Sequence, residues 1–249
     1  MFQWNADKIR FLRDASEYTP FNEVLAERAA KQFGANAHVL DAGCGLGYLS
    51  LALSSRCARV TAADTSNEAL SILRENVERR GIQNIDICET DVFALPETAL
   101  FDGMVFCFFG DAQEILRCVK SHCRGKAVVY KKSWATHRFT AKDLPLTRFT
   151  FRQTCDAFTA LGVPFSAETF ALDMGQPFRS LGDAACFFRL HAREDSGMLT
   201  EAEIAARLIK TDSAAFPYYL PANRSVGMLT VDAGDIPDTI IITSGGIEQ

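Results

Sequence analysis

The stretch HVLDAGCGLGYLSLALSS, residues 38–55, limits the fold more than any other part of the chain. Val39 and Leu40 close an apolar strand, Asp41 stands at its carboxyl end, and Gly43, Gly45 and Gly47 alternate with Ala42, Cys44 and Leu46. Leu49, Ala52 and Leu53 then recur at helical spacing, so a buried strand passes through a glycine turn straight into a helix with one apolar face. Glycine carries no Cβ to keep a ligand off the backbone, so the turn admits a large polar group to the peptide groups at the helix start. The same glycines also suit a tight strand–helix turn that holds nothing.

The spacing separates two kinds of ligand. A dinucleotide loop reads G-x-G-x-x-G, its third glycine packing helix on strand, and here Tyr48 stands at that place. The pattern present is acidic-x-G-x-G-x-G, from Asp41 to Gly47, and further elements follow it in order. VTAADTSNEALSILRENV, residues 60–77, reads as a second strand ending at Asp64, then a helix opened by a capping box from Thr65 to Glu68. IDICETDVFALP, residues 85–96, is a third strand running into Asp91, and FDGMVFCFFGD, residues 101–111, is a fourth strand with the start of its loop. In this order and spacing residues 36–132 resemble the class I S-adenosylmethionine (SAM)-dependent methyltransferases, whose motif I is the glycine pattern.

The resemblance implies SAM as cofactor, held at the first loop by Asp41, Gly43, Cys44, Gly45 and Gly47. It implies that Asp64 accepts hydrogen bonds from both ribose hydroxyls, a task for a carboxylate with two oxygens, with Thr65 beside it. Asp91 falls where the family commonly places a side chain on the adenine amino group, with Val92 next to it, and Cys107 ends the fourth strand. A nicotinamide enzyme stays open, since Asp64 would also suit its ribose, and so do plain helix-capping roles for Asp64 and Asp91.

The 249 residues are enough for one large α/β domain with a small cap, and one domain is expected over residues 1–249. Its parts are a cap segment at 1–37, a SAM-binding half at 38–132 and a substrate-side half at 133–249. A net charge of −5 and a pI near 5.4 lack the electrostatic footprint of a nucleic-acid binder, which argues against RNA or DNA as substrate. Cys44, Cys57, Cys88, Cys107, Cys118, Cys123, Cys155 and Cys186 form no C-x-x-C pair, as expected of reduced cytosolic thiols. Cys118, His122 and Cys123 cluster without a second ligand pair, so no metal site is expected. With no signal pattern and no apolar run of membrane length, a cytoplasmic protein is expected.

Alternating strands and helices over 38–132 argue for a doubly wound, mostly parallel sheet with helices on both faces. The helix after the fourth strand starts at Asp111 with Glu114 three residues on, and AVVYKK, residues 127–132, is the fifth strand. A helix spans about 149–161, a sixth strand 165–174 has its apolar side at Phe170, Leu172 and Met174, and a seventh strand covers 225–233. The family would make the seventh strand antiparallel. Between them two helices are expected, 181–192 behind Ser180 and Asp183, and 201–210 behind a box from Thr200 to Glu203. Together with the N-terminal segment, where a helix is expected behind Thr19 as N-cap and Pro20, they read as a lid over 180–210. Residues 238–244, DTIIITS, are strand-like and find no place in this sheet.

The resemblance makes Tyr18 a candidate for touching the methionine part of SAM; packing of Trp4, Phe11, Tyr18 and Phe21 onto the core is the simpler reading of each aromatic taken singly. Methyl transfer from a sulfonium asks the protein mainly to align the nucleophile and exclude water; a base is needed only where the acceptor must first lose a proton. In KKSWATHR, residues 131–138, His137 is the candidate base, and Lys131, Lys132 and Arg138 are candidates for holding an anionic acceptor group. Strand alternation sends the two lysines to opposite faces, so at most one points inward. The loop Phe106 to Asp111 lacks the N/D-P-P-Y/F pattern that holds planar amides and amines, and Phe108 and Phe109 suggest an apolar wall. The expected activity is methyl transfer to a small-molecule O, N or S nucleophile; an RNA or protein methyltransferase and a non-catalytic SAM-binding module are the alternatives.

Overall fold

The computed structural model describes residues 4–137, 139–142, 144–146, 148–192 and 197–242. The chain divides into two compact units. The larger comprises Asn22–Ser133, Arg148–Phe170 and the segment from Val226 on; the smaller comprises residues up to Phe21, a stretch that begins at Trp134, and Ala171–Ser225.

The larger unit is built on strands β1 (His38–Ala42), β2 (Arg59–Asp64), β3 (Ile85–Glu89), β4 (Phe101–Cys107), β5 (Cys123–Lys132), β6 (Ser166–Asp173) and β10 (Asn223–Asp232). Their order in the sheet is β3-β2-β1-β4-β5-β10-β6. Neighbours from β3 to β5 are parallel, and β10 runs antiparallel to β5, with Val226 opposite Lys132 and Asp232 opposite Lys126. The expected doubly wound sheet with an antiparallel seventh strand is therefore present. β1 lies between β2 and β4, so the strand order reverses there and a crevice opens beyond the carboxyl ends of β1 and β4.

The alternation of side chains explains the core. Leu40 and Ala42 of β1, Met104 and Phe106 of β4, and Val129 of β5 are fully buried on one face, where Ile115 and Val119 of α5 (Ala112–His122) and Phe158 of α6 (Phe151–Ala160) cover them. Capping boxes start both helices: the Asp111 carboxylate accepts from Glu114 N at 2.9 Å while Asp111 N donates to Glu114 at 3.2 Å, and Thr150 and Gln153 do the same for α6.

Several local readings are corrected. Thr19 is not an N-cap; residues before it form α1 (Ala6–Tyr18), and Thr19 closes that helix by donating both its N–H, at 3.0 Å, and its hydroxyl, at 2.8 Å, to Ala15 O. α2 (Phe21–Ala30) then starts after Pro20. The helix after β2, α4 (Asn67–Arg80), is capped by Ser66 and not Thr65, because Asp64 holds the Ser66 N–H at 2.9 Å and carries the turn one residue further. β6 buries only Leu172 among its expected apolar side, since it is the last strand of the sheet. The strand-like stretch from 238 contains a short helix, α9 (Thr239–Ile242); residues 243 and 244 lie outside the described residues.

The smaller unit packs α1, α7 (Leu181–His191) and α8 (Glu201–Arg207) with an antiparallel sheet ordered β7-β9-β8. Its strands are β7 (Gln176–Phe178), β8 (Ile209–Lys210) and β9 (Tyr218–Leu220). α8 was expected to reach 210, but it stops at Arg207 because Ile209 and Lys210 pair with Tyr219 and Tyr218. Phe11, Phe178, Phe187, Phe188 and Ile204 form its core, and Asp14, buried on α1, receives Arg179 and stands 3.9 Å from Arg10.

Candidate functional site

The glycine turn leaves β1 with Gly43, Gly45 and Gly47 all in the left-handed region, at φ 68°, 54° and 74°. α3 (Tyr48–Ser54) begins immediately after it. Two of these glycines are demanded by packing within the protein. A Cβ on Gly43 would lie 2.7 Å from the Phe109 ring, and one on Gly47 would lie 2.4 Å from Leu73. The turn is tied to β2 by the N–H groups of Gly43 and Cys44, which both donate to Ala63 O at 2.9 and 3.0 Å. Gly45 is different: half-buried, it donates its N–H to Asp64 Oδ2 at 2.8 Å.

Asp64 ends β2 and uses its other oxygen for Ser66 N, so the carboxylate stands half-buried between the glycine turn and the start of α4. Asp41 lies beneath the turn. It is 1 % exposed and accepts from Ser50 Oγ at 2.5 Å, and burial raises its pKa to about 6, with the charge of Asp64 adding to the rise and Ser50 opposing it. Burial and the two carboxylates push the Cys44 thiol well up, and burial does the same to Cys107, so neither presents a thiolate at neutral pH.

Asp91 is exposed and caps a 3-10 turn over Val92–Ala94, accepting from Phe93 N at 3.0 Å. Val92 is buried in the core, and Thr65 is exposed. Phe93, Phe106 and Phe109 form a stack, with Phe93 5.3 Å from Phe109 and 6.5 Å from Phe106 at interplanar angles below 10°. Phe109 thus joins the loops after β1, β3 and β4 in one contact set.

Alternation along β5 puts Lys131 inward and leaves Lys132 half-buried. Lys131 is 1 % exposed and donates from Nζ to Phe109 O at 2.8 Å and Gly110 O at 2.5 Å, clamping the β4 loop from below. Burial lowers its pKa to about 8 against the pull of Asp111, Cys107 and Glu114. Its Nζ lies 6.0 Å from the ring centre of Phe149, an exposed residue at φ 58°, and Phe108 in the clamped loop is likewise left-handed at φ 55°. Left-handed phenylalanines are strained, and such residues collect at sites where geometry is held for a purpose.

The larger unit therefore brings together Asp41, the glycine turn, Cys44, Asp64, Thr65, Asp91, Val92 and Cys107 at the carboxyl rim of the sheet. Tyr18 and His137 belong to the smaller unit. There Tyr18 meets Phe216 edge-on at 5.6 Å and Tyr219 at a tilt at 5.3 Å, and His137 N donates to Leu144 O at 2.8 Å. Arg138 lies outside the described residues. The sequence reading missed the Ser50 partner of Asp41, the Phe109 cover of Gly43 and the role of Phe149. Of these only Phe109 had a signal in the sequence, as part of the expected apolar wall. Among the described residues no group of three His, Cys, Asp or Glu side chains is arranged for a metal ion, and no helix is long and apolar enough to cross a membrane.

A family model described as a methyltransferase domain matches residues 39–125. A probable cobalt-precorrin-6B C(15)-methyltransferase (decarboxylating) of Methanothermobacter thermautotrophicus is 33 % identical over 103 residues, covering 39 % of this chain and 53 % of that protein. The release factor glutamine methyltransferase of Shewanella oneidensis is 33 % identical over 89 residues, covering 34 % of this chain and 31 % of that protein. The chain thus spans about half the length of the first relative and about a third of the second. The crystal structure of the YcgJ protein from Bacillus subtilis matches with a TM-score of 0.54 at 13 % identity, covering 85 % of this chain and 97 % of that one, which shows a shared fold.

Proposed function

We propose, for a chain that belongs to the class I SAM-dependent methyltransferases, that it carries a methyl group from SAM to a small-molecule acceptor with an O, N or S nucleophile. The observation that carries this reading is the half-buried Asp64 carboxylate hydrogen-bonded to Gly45 inside a turn of three left-handed glycines. That pair fits an adenosyl group: one oxygen of Asp64 now serves Gly45, and a ribose diol would take the carboxylate's acceptor capacity. Asp91 would meet the adenine amino group, while Gly43, Cys44 and Gly45, all half-exposed, would face the rest of the cofactor. When bound, SAM supplies an electrophilic methyl on a sulfonium.

What remains for the chain is to bind, orient and exclude water. Phe109, fixed by Gly43 and Phe93, and the exposed Phe149 offer an apolar wall for an organic acceptor, in line with the missing N/D-P-P-Y/F pattern. Lys131 keeps the loop that bears this wall in one conformation through its two carbonyl contacts. The sequence offers His137 as a base for a hydroxyl acceptor; His137→Ala should leave SAM affinity intact and lower turnover, and unchanged turnover removes it from the mechanism.

The test is conversion. Purified chain is incubated with SAM and a panel of phenols, amines and thiols, and S-adenosylhomocysteine is measured by mass spectrometry. Acceptor-dependent formation of that product supports the reading. Product formed only with protein or RNA acceptors transfers the enzyme to another substrate class, and none with any acceptor leaves a SAM-binding module.

A further inference from the structure

Two carboxylates flank the glycine turn, and no cation among the described residues balances them. Asp41 lies beneath the turn, 1 % exposed, and Asp64 stands beside it, joined to it through Gly45 N at 2.8 Å. Among the described residues the hydrogen bonds that these carboxylates accept come from uncharged groups: Ser50 Oγ for Asp41, and Gly45 N and Ser66 N for Asp64.

The elements packed around Asp41 add nothing positive. β2 ends in Asp64, whose charge opposes the ionisation of Asp41. The turn brings the Cys44 thiol and β4 the Cys107 thiol, both held protonated, and α3 brings Ser50 and, at its start, the buried Tyr48. A buried carboxylate without a cation favours its protonated form. Burial accordingly lifts Asp41 to about 6, against the opposing pull of Ser50.

The argument from here rests on the reading of this turn as the seat of SAM. With a carboxylate, an ammonium and a sulfonium, SAM carries one net positive charge. S-adenosylhomocysteine has lost the sulfonium and is neutral. We infer that Asp41 sets the preference of the turn for the cationic cofactor over its neutral product, because the charge of SAM stabilises the Asp41 carboxylate and draws its proton off to solvent, while the product leaves that proton in place. Asp41 takes no part in bond making; it positions charge beneath the turn.

The linkage has a definite sign. SAM binds the ionised form, so its affinity should rise with pH by about tenfold between pH 5 and 7, the factor set by a free-protein pKa of about 6, and that of S-adenosylhomocysteine should stay level. The ammonium and carboxylate of both ligands keep their charge over this range.

The test is calorimetric titration of each ligand into the full chain at pH 6, in phosphate and in bis-tris, whose different ionisation enthalpies reveal the protons exchanged. The expected result is release of about half a proton per SAM and essentially none per S-adenosylhomocysteine. Asp41→Asn keeps the shape of the side chain; it should abolish the release and leave the ratio of the two affinities unchanged between pH 5 and 7. SAM bound without proton release, equal release with both ligands, or a pH dependence that survives in Asp41→Asn would overturn the inference and leave the methyl-transfer reading standing. No binding of SAM at any pH would overturn both. Where the variant does not fold, the proton counts of the two ligands on wild type decide alone.

Discussion

Lys131 offers a quantitative check on how the β4 loop is held. Its ammonium is buried with two backbone carbonyls as partners, and its pKa of about 8 lies below the ordinary 10.5. Folding at neutral pH therefore disfavours the proton that the unfolded chain keeps. Because the folded value is depressed, the stabilising contribution is present above 10.5 and is lost as pH falls through 8. The full gap is worth about 3 kcal/mol, and integration over the accessible range gives about 2 kcal/mol between pH 7 and 9.5. Lys131→Met removes the titration and keeps the volume. Urea denaturation of both proteins at half-unit steps over that range should show the stability of wild type rising against the variant by about 2 kcal/mol. Thiols and tyrosines titrate in both and cancel. Parallel curves would mean that Lys131 is solvated at its ordinary pKa, and the clamp on Phe109 and Gly110 would have to be abandoned.

The opposite sign is expected at Asp41. Its folded pKa of about 6 is raised above the ordinary 3.8, so its contribution is fully present below 3.8 and lost as pH rises through 6. Asp41→Asn should gain up to about 3 kcal/mol on wild type at pH 7.5 and lose that advantage by pH 4, read by denaturant midpoints at the two pH values. Tyr130→Phe should cost about 1 kcal/mol, because the fully buried hydroxyl donates to Leu25 O at 2.7 Å; a thermal shift indistinguishable from zero would show that this bond contributes nothing. Arg179→Met should cost about 1–2 kcal/mol, between the exposed and the buried limits because Arg179 is half exposed, by leaving the buried Asp14 carboxylate with its more distant partner Arg10, and an Asp14→Asn, Arg179→Met double variant should recover part of that loss.

Features that depend on neighbours in the chain were legible. The strand, glycine turn and helix at 38–55 carry their periods locally, and the boxes at Asp111 and Glu114 and at Thr200 and Glu203 need only three residues' separation. Thr19 and Thr65 misled for the same reason. Each has the composition of a cap, and the decision lay elsewhere, in the helix that precedes Thr19 and in the hold of Asp64 on Ser66 N. β7, β8 and β9 are too short to show alternation and become strands only by pairing with one another. The glycines teach a similar lesson about the site. From sequence, Gly43 and Gly47 suggest room for a ligand, whereas Phe109 and Leu73 take the space their side chains would need, and those partners come from other elements. Gly45, with its N–H on Asp64, is the glycine through which the cofactor reading is best argued.

Calorimetric titration of SAM into wild type and Asp64→Ala tests that reading most directly. The account predicts one SAM per chain and an affinity at least tenfold weaker in the variant, the loss expected for two hydrogen bonds to a carboxylate. No binding to wild type, or equal binding to both proteins, would contradict it.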